Sequence, residues 1–269
     1  MASRLNYTHG QEYVEHDDGI NNVLSDLTER PNKVVIVDYD FILHQSLYSG
    51  KNEITGERNP EYTEADLEFL YGKVTEATLK MLNSVEKYFN ILNCYMFVKS
   101  KTKGFRKEIY PLYKSHRPAP NPLINKLYEY AKIAHQTIEA DDTLEADDMI
   151  SIVSNKIDNT GIIVSIDKDM KIIPSIIYNP NKDYWIKVSE REALYNFYSQ
   201  LVIGDSADKI PGAFKIGEAW VKKNLHTDMS IEEYEAKVLE AYIKAAKGNV
   251  EQAKFDMELN RQLIQLKKE

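Results

Sequence analysis

Residues 138–170 read IEADDTLEADDMISIVSNKIDNTGIIVSIDKDM, and this stretch decides the fold. Apolar residues at helical spacing, Met149 to Val153, follow the second EADD, and the β-branched run Ile162–Ile166 predicts a short buried strand. One group of acids therefore opens a helix, and another follows a strand. Carboxylates packed this closely raise one another's pKa unless cations lie between them. We therefore expect the stretch to form half of a divalent-metal site.

The length and composition of the chain are typical of a protein with one folded core. The chain has 269 residues and is 43% hydrophobic, which suffices for one sizeable core with at most a small appendage. Cys94 is the only cysteine, which excludes an internal disulfide and a cysteine-based zinc site. The sequence shows no signal-peptide pattern and no run of about 18 apolar residues. We expect a protein of the cytoplasm without a membrane partner.

Outside the opening stretch, apolar runs separated by helical patterns predict a layered fold. Strands are predicted at residues 33–38, 92–98, 133–138 and 161–166. Thr63 is the predicted N-cap of a helix to about Phe89, and a second helix is predicted over about 121–131. Two short runs around Asn179–Asn181 predict a β-hairpin. Strands alternating with helices predict an α/β fold with a mostly parallel central sheet flanked by helices.

The second half of the chain is mainly helical. A helix is predicted from Ser189 to Gly204, a glycine-containing loop follows to Gly217, and another helix begins there. Such a loop exposes backbone N–H groups beside a helix N-terminus, which is a phosphate-binding geometry. Residues 231–268 predict two further helices. We expect an N-terminal extension of unknown role at residues 1–31 and a single domain at residues 32–269.

Acids that end strands or open helices meet at one rim if the predicted strands are parallel neighbours. They are Asp38, Glu145, Asp147, Asp148, Asp167, Asp169, Asp205 and Asp208. Oxygen donors without histidine or cysteine favour Mg²⁺ or Mn²⁺ over zinc. Eight carboxylates exceed what one Mg²⁺ needs, so two ions about 4 Å apart are expected, as in phosphodiester hydrolysis. The first EADD, residues 139–142, is set aside because no helical pattern begins there.

A basic segment contrasts with the net charge of −8. Residues 99–117 contain seven lysines and arginines against one acid, Glu108, which gives a local net of +6. Aromatic residues such as Phe105 and Tyr113 lie between the cations. This mixture suits neutralisation of a nucleic-acid backbone together with base stacking, although a solvated basic loop is an alternative. Beside the acids, the segment indicates metal-dependent phosphodiester chemistry.

Five motifs in order carry a family resemblance. VVIVDYD, FRKEIYPLYKSHR, LEADDM, VSIDKDM and GDSADKIPGAFKIG resemble the 5′-nuclease superfamily over about residues 33–225. That superfamily includes flap endonucleases, the 5′-nuclease domains of bacterial DNA polymerase I, and phage 5′→3′ exonucleases and ribonuclease H-type enzymes. The resemblance implies a PIN-like nuclease core, a basic arch at about 99–120 and a helix–hairpin–helix at about 195–226. It also implies a two-metal 5′→3′ exonuclease or flap endonuclease of phage DNA replication, cytoplasmic in a bacterial host.

The resemblance assigns roles to individual residues. The eight acids above match the family's metal carboxylates, whereas Asp40 is a less secure member. Lys114 and Arg117 match catalytic cations at the scissile phosphate. The implied DNA contacts are Arg106, Tyr113, Gly212, Lys215 and Gly217, with Tyr113 stacking on a terminal base. The implied cofactors are two Mg²⁺ ions, for which Mn²⁺ substitutes, and K⁺ at the helix–hairpin–helix. The implied partners of a monomeric enzyme are DNA with a 5′ end, nick or flap, RNA–DNA hybrids and replication proteins.

The sequence departs from the family pattern at three positions. No acid follows the second strand, and Lys99 falls about where one belongs, which would weaken one metal site. Lys215 stands where a hairpin glycine is common, and Lys209 replaces a common asparagine. The missing acid leaves open a non-catalytic or impaired protein that binds DNA ends or flaps. A PIN-like ribonuclease acting on single-stranded RNA is a second alternative, against which the duplex-holding hairpin argues.

Overall fold

The computed structural model describes residues 29–48, 62–100 and 104–269. Its centre is a six-stranded sheet in the order β3-β2-β1-β4-β5-β6. The strands are β1 Asn32–Asp38, β2 Asn90–Val98, β3 Ile138–Glu139, β4 Ile162–Val164, β5 Ser175–Asn179 and β6 Tyr184–Val188. All neighbouring pairs are parallel except β5 with β6, which form the predicted hairpin. The predicted α/β fold with a mostly parallel sheet is confirmed.

Helices surround this sheet and extend beyond it. They are α1 Asp40–Tyr48, α2 Glu64–Glu86, α3 Phe105–Ile109, α4 Leu123–Ala134, α5 Ala146–Lys156, α6 Glu190–Ile203, α7 Glu218–Asn224, α8 Ile231–Ala245 and α9 Val250–Ile264. A short 3-10 helix spans Lys168–Ile172. Thr63 caps α2 through a capping box with Asp66, as the sequence indicated. Over the described residues, no helix combines the length and apolar character needed to cross a bilayer.

The central strands are buried on both faces. In β1, Val35 and Val37 face a cluster with helices α1, α2 and α4, whereas Ile36 joins the opposite cluster with α5. This burial on both faces explains why residues 34–37 of β1 form a continuous apolar run rather than an alternating one. A third apolar cluster, built mainly from α6 to α9, forms the helical second half.

The predicted strand at residues 133–138 is wrong in its extent. Helix α4 continues to Ala134, and only Ile138 and Glu139 pair with β2. The β-branched Ile133 favoured a strand, but it lies on the solvent side of the helix and is 82% exposed. Helix α2 also ends three residues before the predicted Phe89. Most of the predicted extension, residues 1–28, lies outside the described residues.

The parallel pairing brings separate acids to one edge. Val37 of β1 is opposite Val164 of β4, so Asp38 and the residues just after β4 lie side by side. Helix α5 begins at this edge and contacts both β1 and β2. The carboxyl ends of parallel strands in open α/β sheets are where ligands bind. The candidate site is built on this edge.

Candidate active site

Four carboxylates form the first part of the site, here called the sheet-edge group: Asp38, Asp147, Asp167 and Asp169. Burial, followed by the charges of Asp40 and Asp167, raises the pKa of Asp38 to about 7, although Ser165 Oγ donates a 3.0 Å hydrogen bond to it. Burial and the charges of Asp167 and Asp205 raise the pKa of Asp169 to about 7. Burial, Asp38 and Asp167 raise the pKa of Asp147 as well. These acids destabilise one another's ionised forms.

Three other carboxylates form the arch-side group: Glu145, Asp148 and Asp208. This group lies against cations of the basic segment. Lys114 Nζ lies 2.7 Å from Glu145 Oε1 and 3.5 Å from Asp208 Oδ2. Arg117 pairs with Asp208 Oδ1, and Arg106 pairs with Asp148. Burial alone would raise the pKa of Glu145, but Lys114 and Arg106 hold that pKa below its usual value.

Asp205 lies near the sheet-edge group. Its side chain is buried, Oδ1 accepts a 2.7 Å hydrogen bond from the Ala207 N–H, and Oδ2 is 3.4 Å from Lys168 Nζ. Its charge contributes to the raised pKa of Asp169. The structure therefore brings Asp205 to the sheet-edge group through the loop that follows α6.

Two expected roles do not fit the positions of Asp148 and Arg106. Asp148 is 0% exposed, and both its oxygens accept hydrogen bonds from the Arg106 guanidinium at 2.7 and 2.9 Å. A metal-ligand role for Asp148 would need oxygens directed to the open rim. Arg106 is 2% exposed, so its guanidinium is not placed to contact DNA. The same physical reason applies to both corrections: the two charges neutralise each other inside the protein.

Tyr113 is also placed differently from the expectation. It is 4% exposed, and its hydroxyl donates to Glu145 Oε2 at 2.8 Å and to Asp208 Oδ2 at 3.3 Å. A buried ring that packs in the helical cluster has no open face for a terminal base. Tyr113 therefore holds the arch-side group together.

The predicted helix–hairpin–helix consists of α6, the loop 204–217 and α7. Gly212 adopts φ +63° and is buried, and its N–H donates to Asn260 Oδ1 at 3.0 Å. A Cβ there would lie 2.5 Å from Ile203 backbone atoms, so glycine is required for packing rather than for approach to phosphate. Lys215 and Gly217 are exposed, beside the 67% exposed Phe214. The exposed Lys215 and Gly217 are therefore open to a partner, whereas Gly212 is not.

Lys99 and Asp40 meet at the end of β2. The Lys99 N–H lies 3.2 and 3.3 Å from the Asp40 oxygens, and the Tyr128 hydroxyl donates to Asp40 Oδ1 at 2.8 Å. Lys99 Nζ lies 5.2 Å from the Tyr128 ring centroid, in a cation–π arrangement. Asp40 thus places a carboxylate beside the strand end that lacks its own acid. Sequence reasoning missed Tyr128, which lies outside the five motifs, and Ser165, which lies within VSIDKDM but is not an acid.

The donor chemistry of the sheet-edge group fits divalent cations. Its ligating atoms are all carboxylate oxygens, and a bound cation would relieve the repulsion that raises their pKa values. Within residues 29–48, 62–100 and 104–269, no three acidic, histidine or cysteine side chains are gathered as a ready coordination shell. The sheet-edge group therefore suits a divalent cation by its charge and its oxygen donors rather than by a preformed coordination geometry. The ligand roles stay predictions, as do the catalytic roles of Lys114 and Arg117.

Comparison with known proteins indicates the same family as the five sequence motifs. Residues 33–193 match the family model "5'-3' exonuclease, N-terminal resolvase-like domain". A 5'-3' exonuclease of Buchnera aphidicola is 32% identical over 200 residues, which cover 68% of this chain and 66% of that relative, just under two thirds of its length. The fold is similar to that of the T5 D15 protein co-crystallised with metal ions: the TM-score is 0.52 at 15% identity, over 85% of this chain and 99% of that one. The family match covers more than half of the chain, which therefore belongs to the 5′–3′ exonuclease family of the 5′-nuclease superfamily.

Proposed function

We propose that this protein is a divalent-metal-dependent 5′→3′ exonuclease and flap endonuclease that hydrolyses phosphodiesters at 5′ ends of duplex or flapped DNA. The observation that carries the proposal is the sheet-edge group. Asp38, Asp147, Asp167 and Asp169 lie at the carboxyl ends of parallel strands or at the start of α5, where burial and the charges of neighbouring carboxylates raise their pKa values. Family membership supplies the reaction class.

The proposed cofactors are two Mg²⁺ ions, for which Mn²⁺ substitutes. The sheet-edge group would hold them, with Asp205 and Asp40 beside it. Bound there, divalent ions supply an activated water and charge stabilisation for the leaving oxygen. The T5 D15 protein was itself co-crystallised with metal ions. K⁺ at the loop 204–217 is a further part of the proposal.

The chain's own cations would orient the phosphate. Glu145 and Asp208 fix Lys114 Nζ at the rim, and Asp208 fixes Arg117. A preoriented cation needs no reorganisation when negative charge develops on the phosphoryl oxygens. Arg117 is about half exposed and open to substrate. Lys215 and Gly217, both exposed on the loop 204–217, would hold the backbone of the downstream duplex.

The proposed setting is replication of phage DNA in a bacterial cytoplasm. RNA–DNA hybrids at primers are included among the substrates, and replication proteins among the partners of a monomeric enzyme. Both follow from the resemblance of five motifs to phage members of the superfamily.

The test is product length from 5′-labelled flap, nicked and hybrid substrates with Mg²⁺ and with Mn²⁺. We expect short 5′ products from the wild type and none from Asp167→Ala. Asp141→Ala is the matched control, because Asp141 is an exposed acid of the first EADD. Tight binding of flaps without product at any enzyme excess would replace the proposal with a non-catalytic flap-binding protein. Cleavage confined to single-stranded RNA would replace it with a ribonuclease.

A further inference from the structure

Arg106 has every donor of its guanidinium occupied. Nε donates to the Leu263 carbonyl at 2.8 Å, and Nη1 donates to Glu145 Oε2 at 3.1 Å and to Asp148 Oδ2 at 2.7 Å. Nη2 donates to Asp148 Oδ1 at 2.9 Å and to the Gln265 carbonyl at 3.2 Å. A guanidinium has five N–H donors, and here five acceptors surround it. Two of these acceptors are backbone carbonyls from a distant part of the chain.

Asp148 is equally saturated. Besides its two bonds from Arg106, its Oδ2 accepts from the Glu145 N–H at 3.1 Å, which completes the capping box at the start of α5. Its Oδ1 accepts from the Lys267 N–H at 3.2 Å. A carboxylate offers about four acceptor positions, and all are used. The buried ion pair is therefore complete only when the last residues of α9 and the segment that follows it are in place.

That segment, Leu263–Lys268, is here called the tie segment. It is held by packing as well as by hydrogen bonds. Leu266 joins the apolar cluster of Ala146 and Ile150 in α5. Lys267 Nζ lies 4.4 Å from the Phe105 ring centroid, and Asn155 Nδ2 donates to the Lys268 carbonyl at 3.2 Å. The tie segment thus bridges α3, which carries Arg106, and α5, which begins at the acids.

Glu145 connects this buried network to the rim. Its Oε2 accepts from Arg106 and Tyr113, and its Oε1 accepts from Lys114 Nζ at 2.7 Å. Loss of the Arg106 bond would leave Glu145 free to rotate toward Lys114 or Tyr113 alone. Lys114 would then lose its fixed position, because Glu145 is its nearer partner.

We propose that Arg106, held by the tie segment, is a positioning residue for Glu145 and Lys114. It acts from inside the protein and touches neither substrate nor metal. The inference rests on the proposed function for its catalytic readout only. That the tie segment orders the start of α5 can be tested whether or not the protein cleaves DNA.

The decisive variant is Arg106→Lys, which keeps the charge but cannot satisfy five acceptors. We expect kcat to fall by about tenfold or more with little change in KM, since misplacement of a catalytic cation costs rate rather than binding. Arg261→Lys is the matched control: Arg261 pairs with Glu235 and Glu258 on the far side of α9 and should leave kcat unchanged. Both variants are assayed at a temperature where circular dichroism shows them folded.

Lys267→Pro tests the tie segment directly, because proline removes the N–H that Asp148 accepts. Lys267→Ala keeps that N–H and should lose less activity than the proline variant. Hydrogen exchange at the amides of residues 145–150 should quicken in Arg106→Lys and Lys267→Pro, even if the wild type fails to cleave DNA. If both variants exchange these amides at the same rate as the wild type, the inference is overturned. So would a loss of kcat in Arg106→Lys that Arg261→Lys reproduces. If Arg106→Lys does not fold, the comparison of Lys267→Pro with Lys267→Ala tests the inference instead.

Discussion

The two acid groups of the rim resemble each other in residue type and differ in electrostatics. The sheet-edge group has raised pKa values because its carboxyls are buried and because other carboxylates act on them more strongly than the nearby lysines do. The arch-side group has lowered pKa values at Glu145 and Asp148, where burial is outweighed by Lys114 and Arg106. A dense run of acids therefore does not by itself identify metal ligands. The cations that the chain supplies decide which carboxylates are already neutralised.

Asp147 and Asp148 show the contrast within two adjacent residues. Successive residues of a helix point about 100° apart, so neighbours in sequence face different surroundings. Asp147 faces Asp38 and Asp167, whereas Asp148 faces Arg106. Replacing each with asparagine should therefore change the stability of the metal-free protein in opposite directions: Asp147→Asn should raise it and Asp148→Asn should lower it.

The largest expected effect is on stability. Asp148→Asn removes the bidentate partner of the buried Arg106 charge and leaves only Glu145 to neutralise it, which should lower the free energy of unfolding by about 3–5 kcal/mol. Urea denaturation followed by tryptophan fluorescence measures this, with the exposed Asp142→Asn as control. A loss no greater than that of the control would show that the arch-side pair is not the structural unit described.

The second effect is on activity. Asp147→Asn should lower the cleavage rate by about 10²–10³-fold, the range seen when one electrostatic contributor to a transition state is removed. The metal-free protein should become more stable, because a repelling charge is lost. Single-turnover cleavage and thermal denaturation in EDTA test the two halves. If Asp147→Asn were destabilised and fully active, the sheet-edge and arch-side groups would not differ in the way described.

The third prediction concerns pH in the absence of metal. The pKa values of Asp38 and Asp169 are about 7 in the folded protein, above their usual value of 3.8. The folded state then binds more protons than the unfolded state between those pH values, so stability should decrease as pH rises from about 4 to about 7. Each group contributes up to about 1.4 kcal/mol per pH unit, so the two together should give a slope of up to about 3 kcal/mol per pH unit. Denaturation in EDTA across this range checks the sign, and Mg²⁺ at pH 7.5 should restore stability. A rise in stability over the same interval would contradict the assignment.

The smallest effect is expected from Lys99→Asp. A carboxylate at the end of β2 would extend the sheet-edge group and remove a nearby cation, so Mg²⁺ should bind about fivefold more tightly, equivalent to about 1 kcal/mol. Calorimetric titration of the metal-free protein measures the change. Lys33→Asp, at the opposite end of β1, is the control for an added negative charge. Equal or weaker Mg²⁺ binding would show that Asp40 already occupies the position.

Much of the fold could be predicted because its signals are local. The β-branched run before Asp38 and the Thr63 cap each specify an element within a few residues. The strand predicted at 133–138 failed because Ile133 suits a strand or a helix, and only tertiary packing decides between them.

The acids of the rim could also be predicted from their positions at element ends, but their division into two groups could not. That division depends on Arg106 and Lys114, which lie more than 30 positions away from Glu145 in sequence. The burial of Arg106, Tyr113 and Gly212 likewise comes from contacts with Leu263, Asp208 and Asn260. Motif order indicated that these residues matter, whereas the packing shows that they act inside the protein.

The partners of Arg106 and Asp148 also set an order of events during synthesis. Leu263 follows Arg106 by 157 positions, and Lys267 follows Asp148 by 119. At about 5–20 residues per second, a growing chain waits on the order of ten seconds between making this ion pair and making the groups that complete it. Until then the acids at the start of α5 lack their support. The packing around the acids at the start of α5 is therefore completed only after residues 263–267 have been made, well after the strands of the central sheet.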